Sequence, residues 1–259
     1  MADLTGRVAL VTGGSRGIGR ATALALAALG ADVAVAARSQ QELEETAEAV
    51  RGAGRRGEAF VCDVSRRGDV EKTLEQVRAS LGDPLILVNN AGISAGAKLA
   101  DTTDELWERT LQVNATGAFY WTRAVMPLML AVGWGRVINV ASIAAKAAAP
   151  YMVAYAASKH ALLGLTRAVA SEVASRGVTV NAICPGYVDT PMTQGSIENI
   201  HARTGRSPEQ AKKILEGFSP QGRLMTAEEV AGIAAFLCTE EARGINGQSI
   251  VIDGGGVQA

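Results

Sequence analysis

Val8-Ala9-Leu10-Val11-Thr12-Gly13-Gly14-Ser15-Arg16-Gly17-Ile18-Gly19 starts as a short apolar run, passes through a glycine-rich turn and enters a helical pattern that lasts to Leu29. Four apolar residues in a row, bounded by a turn signal, read as a strand buried on both faces. The glycines permit a tight turn and let an anion approach a helix start, where unpaired N–H groups and the helix dipole favour negative charge. A glycine-rich turn alone means little; set between a strand and a helix it predicts a diphosphate cradle. Gly13, Ser15, Arg16, Gly17, Ile18 and Gly19 are therefore cofactor-binding candidates.

Outward from this unit the pattern repeats. Val33-Ala34-Val35-Ala36, Ala59-Phe60-Val61-Cys62, Leu85-Ile86-Leu87-Val88, Val137-Ile138-Asn139-Val140, Val178 to Ile183 and Ser249 to Ile252 are further strand candidates, separated by helical stretches such as Gln40 to Val50. Together they predict an α/β fold, a doubly wound sheet of about seven parallel strands with helices on both faces. No Pro/Ser-rich linker interrupts the 259 residues, so residues 1–259 are expected to form a single dinucleotide-binding and catalytic domain. The segment from Asp189 to Arg223 (189–223) breaks the rhythm, with Pro191, Pro208 and Pro220, mixed charge and no clear strand. Ligands in such sheets sit beyond the carboxyl ends of strands, so this segment is expected to be a mobile substrate lid, with a helical surface insertion as the alternative.

Composition narrows the function classes. Hydrophobic residues at 48% and charged residues at 20% fit a globular protein with a sizeable core rather than a disordered chain. A net charge of -1 offers no general positive field for nucleic acid. Met1 to Gly6 show no basic lead or apolar run, so no secretory leader is expected. The greasy stretch from Ala21 to Ala37 is broken by Gly30 and Asp32, which reads as helix, turn and strand rather than a membrane span. Cys62, Cys184 and Cys238 are far apart and odd in number, which fits a reducing cytoplasm. His160 and His201 belong to no cluster with metal-ligand spacing, so no metal is expected.

Chemistry enters with Ser142, Tyr155 and Lys159. Tyr155 and Lys159 are four residues apart in a helical pattern that runs to Ser175, which puts them on one face, one turn apart. A free tyrosine titrates near about 10 and is a poor base at neutral pH, but a neighbouring ammonium favours the phenolate. Ser142 follows the fifth strand, where its hydroxyl can steady an oxygen on which charge develops. In reduction Tyr155 would give its proton to a carbonyl oxygen as hydride reaches the carbon. Cofactor choice is set at the second strand end, Ala36-Ala37-Arg38-Ser39, which has no acid to hold ribose hydroxyls. Arg38, Ser39 and Arg16 suit a 2′-phosphate, so NADP(H) is expected in preference to NAD(H).

Thr12 to Gly19, Asn89-Asn90-Ala91-Gly92, the set Asn114, Ser142, Tyr155 and Lys159, and Pro185-Gly186 with Thr190 together resemble the short-chain dehydrogenase/reductase family over nearly the whole chain. The resemblance implies a Rossmann-type fold and a homotetramer with the Tyr155 helix in one interface. Asn114 would hold a water that relays protons through Lys159, and Lys159 would hold the nicotinamide ribose. Asp63 would hydrogen-bond the adenine, with Val64 beside it, while Asn90, Ala91 and Gly92 would lie along the cofactor and Asn89 would brace the sheet. Pro185, Gly186, Val188 and Thr190 would flank the carboxamide. The apolar residues Ala161, Leu162, Leu163, Leu165, Ala168, Val169 and Val173 leave this helix greasy on more than one side, in keeping with burial in an interface.

Within that family the chain looks most like ketoreductases for 3-oxoacyl thioesters or polyketide intermediates and like 3-hydroxybutyrate dehydrogenases. Ser142, Tyr151, Tyr155, Tyr187 and Met192 are the substrate-contact candidates, with Tyr151 as a pocket wall. Ala144, Ala145, Ala147, Ala148 and Ala149 would leave room for a bulky ketone, and Met192, Ile197, Ile200, Leu215 and Phe218 would line an apolar lid. Arg203, Arg206, Lys212 and Lys213 are read as solvent-facing charges, with a phosphate-bearing carrier as the alternative. Competing readings are a dehydrogenase of a small hydroxy acid or a cyclic or aryl alcohol, an epimerase or dehydratase, and a cofactor sensor without turnover. The complete catalytic set argues against the sensor, and the short stretch after Asp189 argues against the epimerase.

Overall fold

The computed structural model describes residues 3–147 and 149–258. Met1, Ala2, Ala148 and Ala259 lie outside them, and with them the start of the stretch expected to lack a leader and one alanine of the run after Ser142. The elements are, in order, β1 (Val8–Thr12), α1 (Gly17–Ala28), β2 (Asp32–Ala37), α2 (Gln40–Gly52), β3 (Gly57–Val61), α3 (Arg67–Ser80) and β4 (Pro84–Asn89). Then come α4 (Asp104–Leu111), α5 (Gly117–Val132), β5 (Gly135–Val140), α6 (Val153–Val173), β6 (Val178–Pro185), α7 (Pro191–Thr204), α8 (Pro208–Glu216), α9 (Ala227–Leu237) and β7 (Ser249–Ile252).

The strands run apolar without alternation because neighbours along a strand point to opposite faces and both faces are covered. Ala9, Val11, Val33, Val35, Ile86, Val88 and Ile138 pack with α1, α2 and α9. Val8, Leu10, Ala34, Ala36, Leu87 and Val137 pack with α3, α5 and the end of α6. Each large side chain so buried contributes about 1.5–3 kcal/mol. β1, β4, β5 and β6 are buried at every position, whereas β7 at the sheet edge is only partly covered.

All seven strands are parallel, in the order β3-β2-β1-β4-β5-β6-β7. This is the Rossmann-type doubly wound sheet that the sequence predicts. The order reverses between β1 and β4, and their carboxyl ends open a crevice there. Thr12 closes its floor: its hydroxyl donates to Val88 O at 3.2 Å and accepts from the amides of Asn90 and Ala91 at 3.0 and 3.1 Å.

The segment 189–223 is helical, built from α7 and α8. Pro191 and Pro208 each sit at a helix start, where a missing N–H costs nothing, and Ser207 with Gln210 forms a capping box. Two of the prolines that broke the strand rhythm are therefore helix-start signals, while Pro220 lies in the turn after α8. Ile197, Ala211, Leu215 and Leu224 make a small separate core, so much of the expected lid lining faces inward within the segment itself. Among the described residues no helix is long and apolar enough to cross a membrane.

Candidate active site

The cradle is shaped by backbone contacts that leave no room for side chains. A Cβ at Gly19 would lie 2.1 Å from Gly13 O, and one at Gly13 would lie 2.8 Å from Asn90 Nδ2. Gly13 and Gly17 have positive φ, of 62° and 53°. α1 begins here with no acid in its first turn, so the positive end of its dipole is left for an anion. Such a cradle fits a dinucleotide's diphosphate. Thr190 approaches it from the far side, since a Cβ on Gly17 would lie 3.1 Å from Thr190 Cγ2. Ile18 is partly buried against the core and Ser15 accepts through its carbonyl from Thr46.

The Asn90 amide donates to Thr12 O and Gly13 O, both at 3.0 Å, so its side chain braces the cradle. Asn89 donates to Thr122 Oγ1 and Asn139 Oδ1 at 3.1 and 2.9 Å, the sheet-bracing role expected of it. Arg38 is exposed at the end of β2 with Ser39 beside it, and Arg16 is exposed at the rim. Glu42 stands 3.5 Å from Arg16, an acid at this rim that the strand-end argument overlooked because it lies on α2 rather than on β2. Asp63 follows β3; burial would raise its pKa, but the Ser65 hydroxyl and amide and the Arg109 guanidinium hold it below the usual carboxylate range. Val64 is buried against Gly117.

Deeper in the crevice, Tyr155 and Lys159 occupy the same face of the first turns of α6, as their spacing predicts. Lys159 is 4% exposed, donates to Val140 O at 2.8 Å, and its Nζ lies 5.7 Å from the Tyr155 ring centre. Gly92 lies alongside, where a Cβ would be in ordinary contact with Nζ at 3.6 Å. Ser142, at the end of β5, caps a short turn by accepting from Ala144 N at 3.1 Å. Asn114 sits in a π turn, Gln112–Thr116, between α4 and α5. Its amide oxygen accepts from Ile93 N at 2.8 Å, and its NH2 group donates to Ile93 O and to Ser158 Oγ at 2.9 and 3.0 Å. Ser158 passes the contact on by donating to Tyr155 O at 2.7 Å. Ser158 was not singled out from the sequence; the only hint was a polar residue between Tyr155 and Lys159 on a stripe that must be buried.

One expectation about this cluster is overturned. The phenol of Tyr155 is shifted upward, chiefly by burial, with the Ser142 hydroxyl pulling the other way. Burial brings Lys159 down to about 8. The ammonium sits over the ring and is held by Val140 O, so desolvation, rather than charge attraction, decides the direction.

The substrate candidates are not brought together as a set. Tyr187 lines a cavity beneath α8 with Ile143, Leu215, Phe218, Met225 and Asp253. Its ring lies 5.4 Å from that of Phe218. Met192 and Tyr151 are instead 46% and 62% exposed. Tyr151 has φ 65°, and in that left-handed conformation its carbonyl accepts from Ala97 N at 2.8 Å while the ring faces solvent, so it is not a pocket wall here. Pro185 and Val188 are buried, and Gly186 donates its amide to Ile252 O at 2.9 Å. Arg206, Lys212 and Lys213 face solvent, while Arg203 reaches across the mouth to Gly96 O at 3.0 Å.

Comparison with known proteins agrees with this geometry. A family model described as enoyl-(acyl carrier protein) reductase matches residues 13–256. The chain is 40% identical to a 3-oxoacyl-[acyl-carrier-protein] reductase of Pseudomonas aeruginosa, over 98% of each chain. It is also 40% identical to a D-beta-hydroxybutyrate dehydrogenase of Cupriavidus necator, over 98% of this chain and 99% of that one. A crystal structure of an actinorhodin polyketide ketoreductase variant with NADPH superposes with a TM-score of 0.94 at 36% identity, covering 99% of both chains. A glycine cradle at the β1–α1 turn, a tyrosine and lysine one helical turn apart, and relatives matched from end to end lead to one conclusion: the chain belongs to the short-chain dehydrogenase/reductase family.

Proposed function

We propose that this protein is an NADP(H)-dependent oxidoreductase that reduces a ketone to a secondary alcohol, with a 3-oxoacyl thioester or similar ketone as substrate. The observation that carries the reading is the pairing of Tyr155 with buried Lys159 at the crevice into which the glycine cradle opens. When bound, the nicotinamide supplies the hydride. Gly13 to Gly19 would hold the diphosphate, Arg38 and Arg16 the 2′-phosphate, and Lys159 the nicotinamide ribose.

The upward shift of Tyr155 leaves its phenol protonated through the neutral range, the form a carbonyl reduction needs. Ser142 orients the carbonyl oxygen, and Tyr155 delivers its proton there. Lys159 keeps a positive charge close to the phenol as it loses that proton. Asn114 fixes the loop after β4 against α6 through Ile93 and Ser158. Tyr187, Leu215 and Phe218 line only a water-sized cavity beneath α8, so α7 with α8 must shift as a lid to admit an acyl chain. The exposed small residues Ala161, Gly164 and Ala168 on α6 support a homotetramer, and three free buried cysteines support a cytoplasmic location.

The test is cofactor consumption by purified protein with NADPH and with NADH over acetoacetyl thioesters and a panel of aryl and cyclic ketones. Turnover is expected with thioesters and faster with NADPH; no turnover of any member would refute the proposal. A small hydroxy acid or cyclic alcohol as the better substrate would move the protein to the dehydrogenase reading.

A further inference from the structure

The loop leaving β3 is tied to the irregular part of the α4–α5 helix by a compact network. Asp63 accepts through Oδ1 from the Ser65 amide and hydroxyl, at 3.0 and 2.6 Å. Arg109, on α4, donates from Nη1 to Ser65 Oγ at 2.9 Å and stands with Nη2 3.5 Å from Asp63 Oδ2. Gln112 donates to Ser65 O at 2.8 Å. It opens the π turn, and two residues later Asn114 grips Ile93 and Ser158 on the crevice side. One turn of helix thus holds the β3 loop in one hand and the reacting end of the crevice in the other. π turns interrupt the regular helical ladder and occur mostly as single turns, frequently at functional sites.

Arg109 is more than a surface ion pair. Its guanidinium engages two partners of the same loop, a planar two-pronged contact that a lysine cannot reproduce. The second oxygen of Asp63, on the Arg109 side, is not closed off by the Ser65 contacts and can accept another donor. We propose that Arg109 is a positioning residue for the adenine end of the cofactor, holding the Asp63 carboxylate in one orientation and joining its loop to the turn that carries Asn114. This rests on Asp63 as the adenine acceptor, itself part of the function proposed above.

The test is equilibrium binding by titration calorimetry, with no turnover, of three ligands: NADPH, adenosine 2′-monophosphate and reduced nicotinamide mononucleotide. Arg109→Ala is expected to weaken the first two by about 5- to 30-fold, less than the loss of a direct charge-assisted hydrogen bond because Arg109 acts through Asp63, and to leave the third within about twofold. Arg109→Lys should fall between. Asp63→Asn should weaken the same two ligands, and adding Arg109→Ala to it should weaken them little further, because residues acting through one another are not additive. Equal weakening of all three ligands by Arg109→Ala would make its role structural and overturn the proposal. If Asp63→Asn weakens adenine binding while Arg109→Ala does not, the role of Arg109 falls and the reading of Asp63 stands. If Asp63→Asn has no effect, both fall.

Discussion

Two buried polar networks lie beside the same seven-stranded sheet and do different work. In the first, Asn89 donates to Asn139, Asn139 donates to Thr166, and Thr166 donates to Leu162 O, which fastens β4, β5 and α6 together in the middle of the fold. Apart from Asn89 Oδ1, its side-chain polar atoms are matched within the protein, and none of them titrates. In the second, Asn114, Ser158, Tyr155, Lys159 and Ser142 also cross between elements, yet the phenol and the ammonium are both displaced from their ordinary titration by burial. The first network is closed. The second keeps a proton donor and a cation in a dry place, ready for a partner that arrives from outside. The lesson is that burial of polar groups does not by itself mark an active site; titratable groups buried where a crevice opens are the better sign.

The sharpest way to separate the two is Tyr155→Phe. It should cut kcat by about 10²- to 10⁴-fold, the usual contribution of a placed acid, while the melting temperature hardly moves. A variant that keeps most of its turnover would remove Tyr155 from the chemistry. The converse is Asn139→Ala, which strands a donor on Asn89 and an acceptor on Thr166. Stability should fall by about 2–4 kcal/mol, or some 4–16 °C in melting temperature by calorimetry, with kcat per folded molecule retained.

Lys159→Met tests the cost of the buried charge. Because burial holds Lys159 at about 8 rather than 10.5, the unfolded chain binds more protons than the folded one between those values. Stability of the parent therefore rises with pH across that window, while below about 8 the full cost of burying the ammonium is carried. The variant should lose turnover yet melt higher at pH 7 by an amount equivalent to about 1–3 kcal/mol, and that advantage should shrink as pH climbs from 8 towards 10. An advantage that stays flat with pH would mean that Lys159 is not displaced. Smallest is Ser158→Ala, which takes one acceptor from Asn114. A loss of about 1 kcal/mol in stability and less than a tenfold fall in kcat are expected, and the ratio of the two effects says to which network Ser158 belongs.

Much of this was legible in the chain. The strand runs could be read because a parallel sheet covered on both faces demands uninterrupted apolar residues, and Tyr155 and Lys159 because four residues make one helical turn. Other features were hidden for physical reasons. Ser158 and Asn114 meet across 44 residues, and Arg109 meets Ser65 across the same separation, distances at which no local period exists. The helices of 189–223 were obscured by prolines that start them. The direction of the Tyr155 shift depended on how dry its surroundings are, which spacing does not report. Tyr151 turned outward because its backbone adopts a conformation that L-residues rarely choose.

The cradle has a consequence for how this enzyme class can be altered. Its walls are carbonyl oxygens and amides, and at Gly19 even a methyl group would collide with the chain itself at 2.1 Å. Selection and protein engineers alike are therefore denied that surface as a place to tune preference. On the function proposed above, changes in which dinucleotide is favoured would come from the outer margin, where exposed Arg16 and Arg38 and half-exposed Glu42 lie outside the turn's tight contacts.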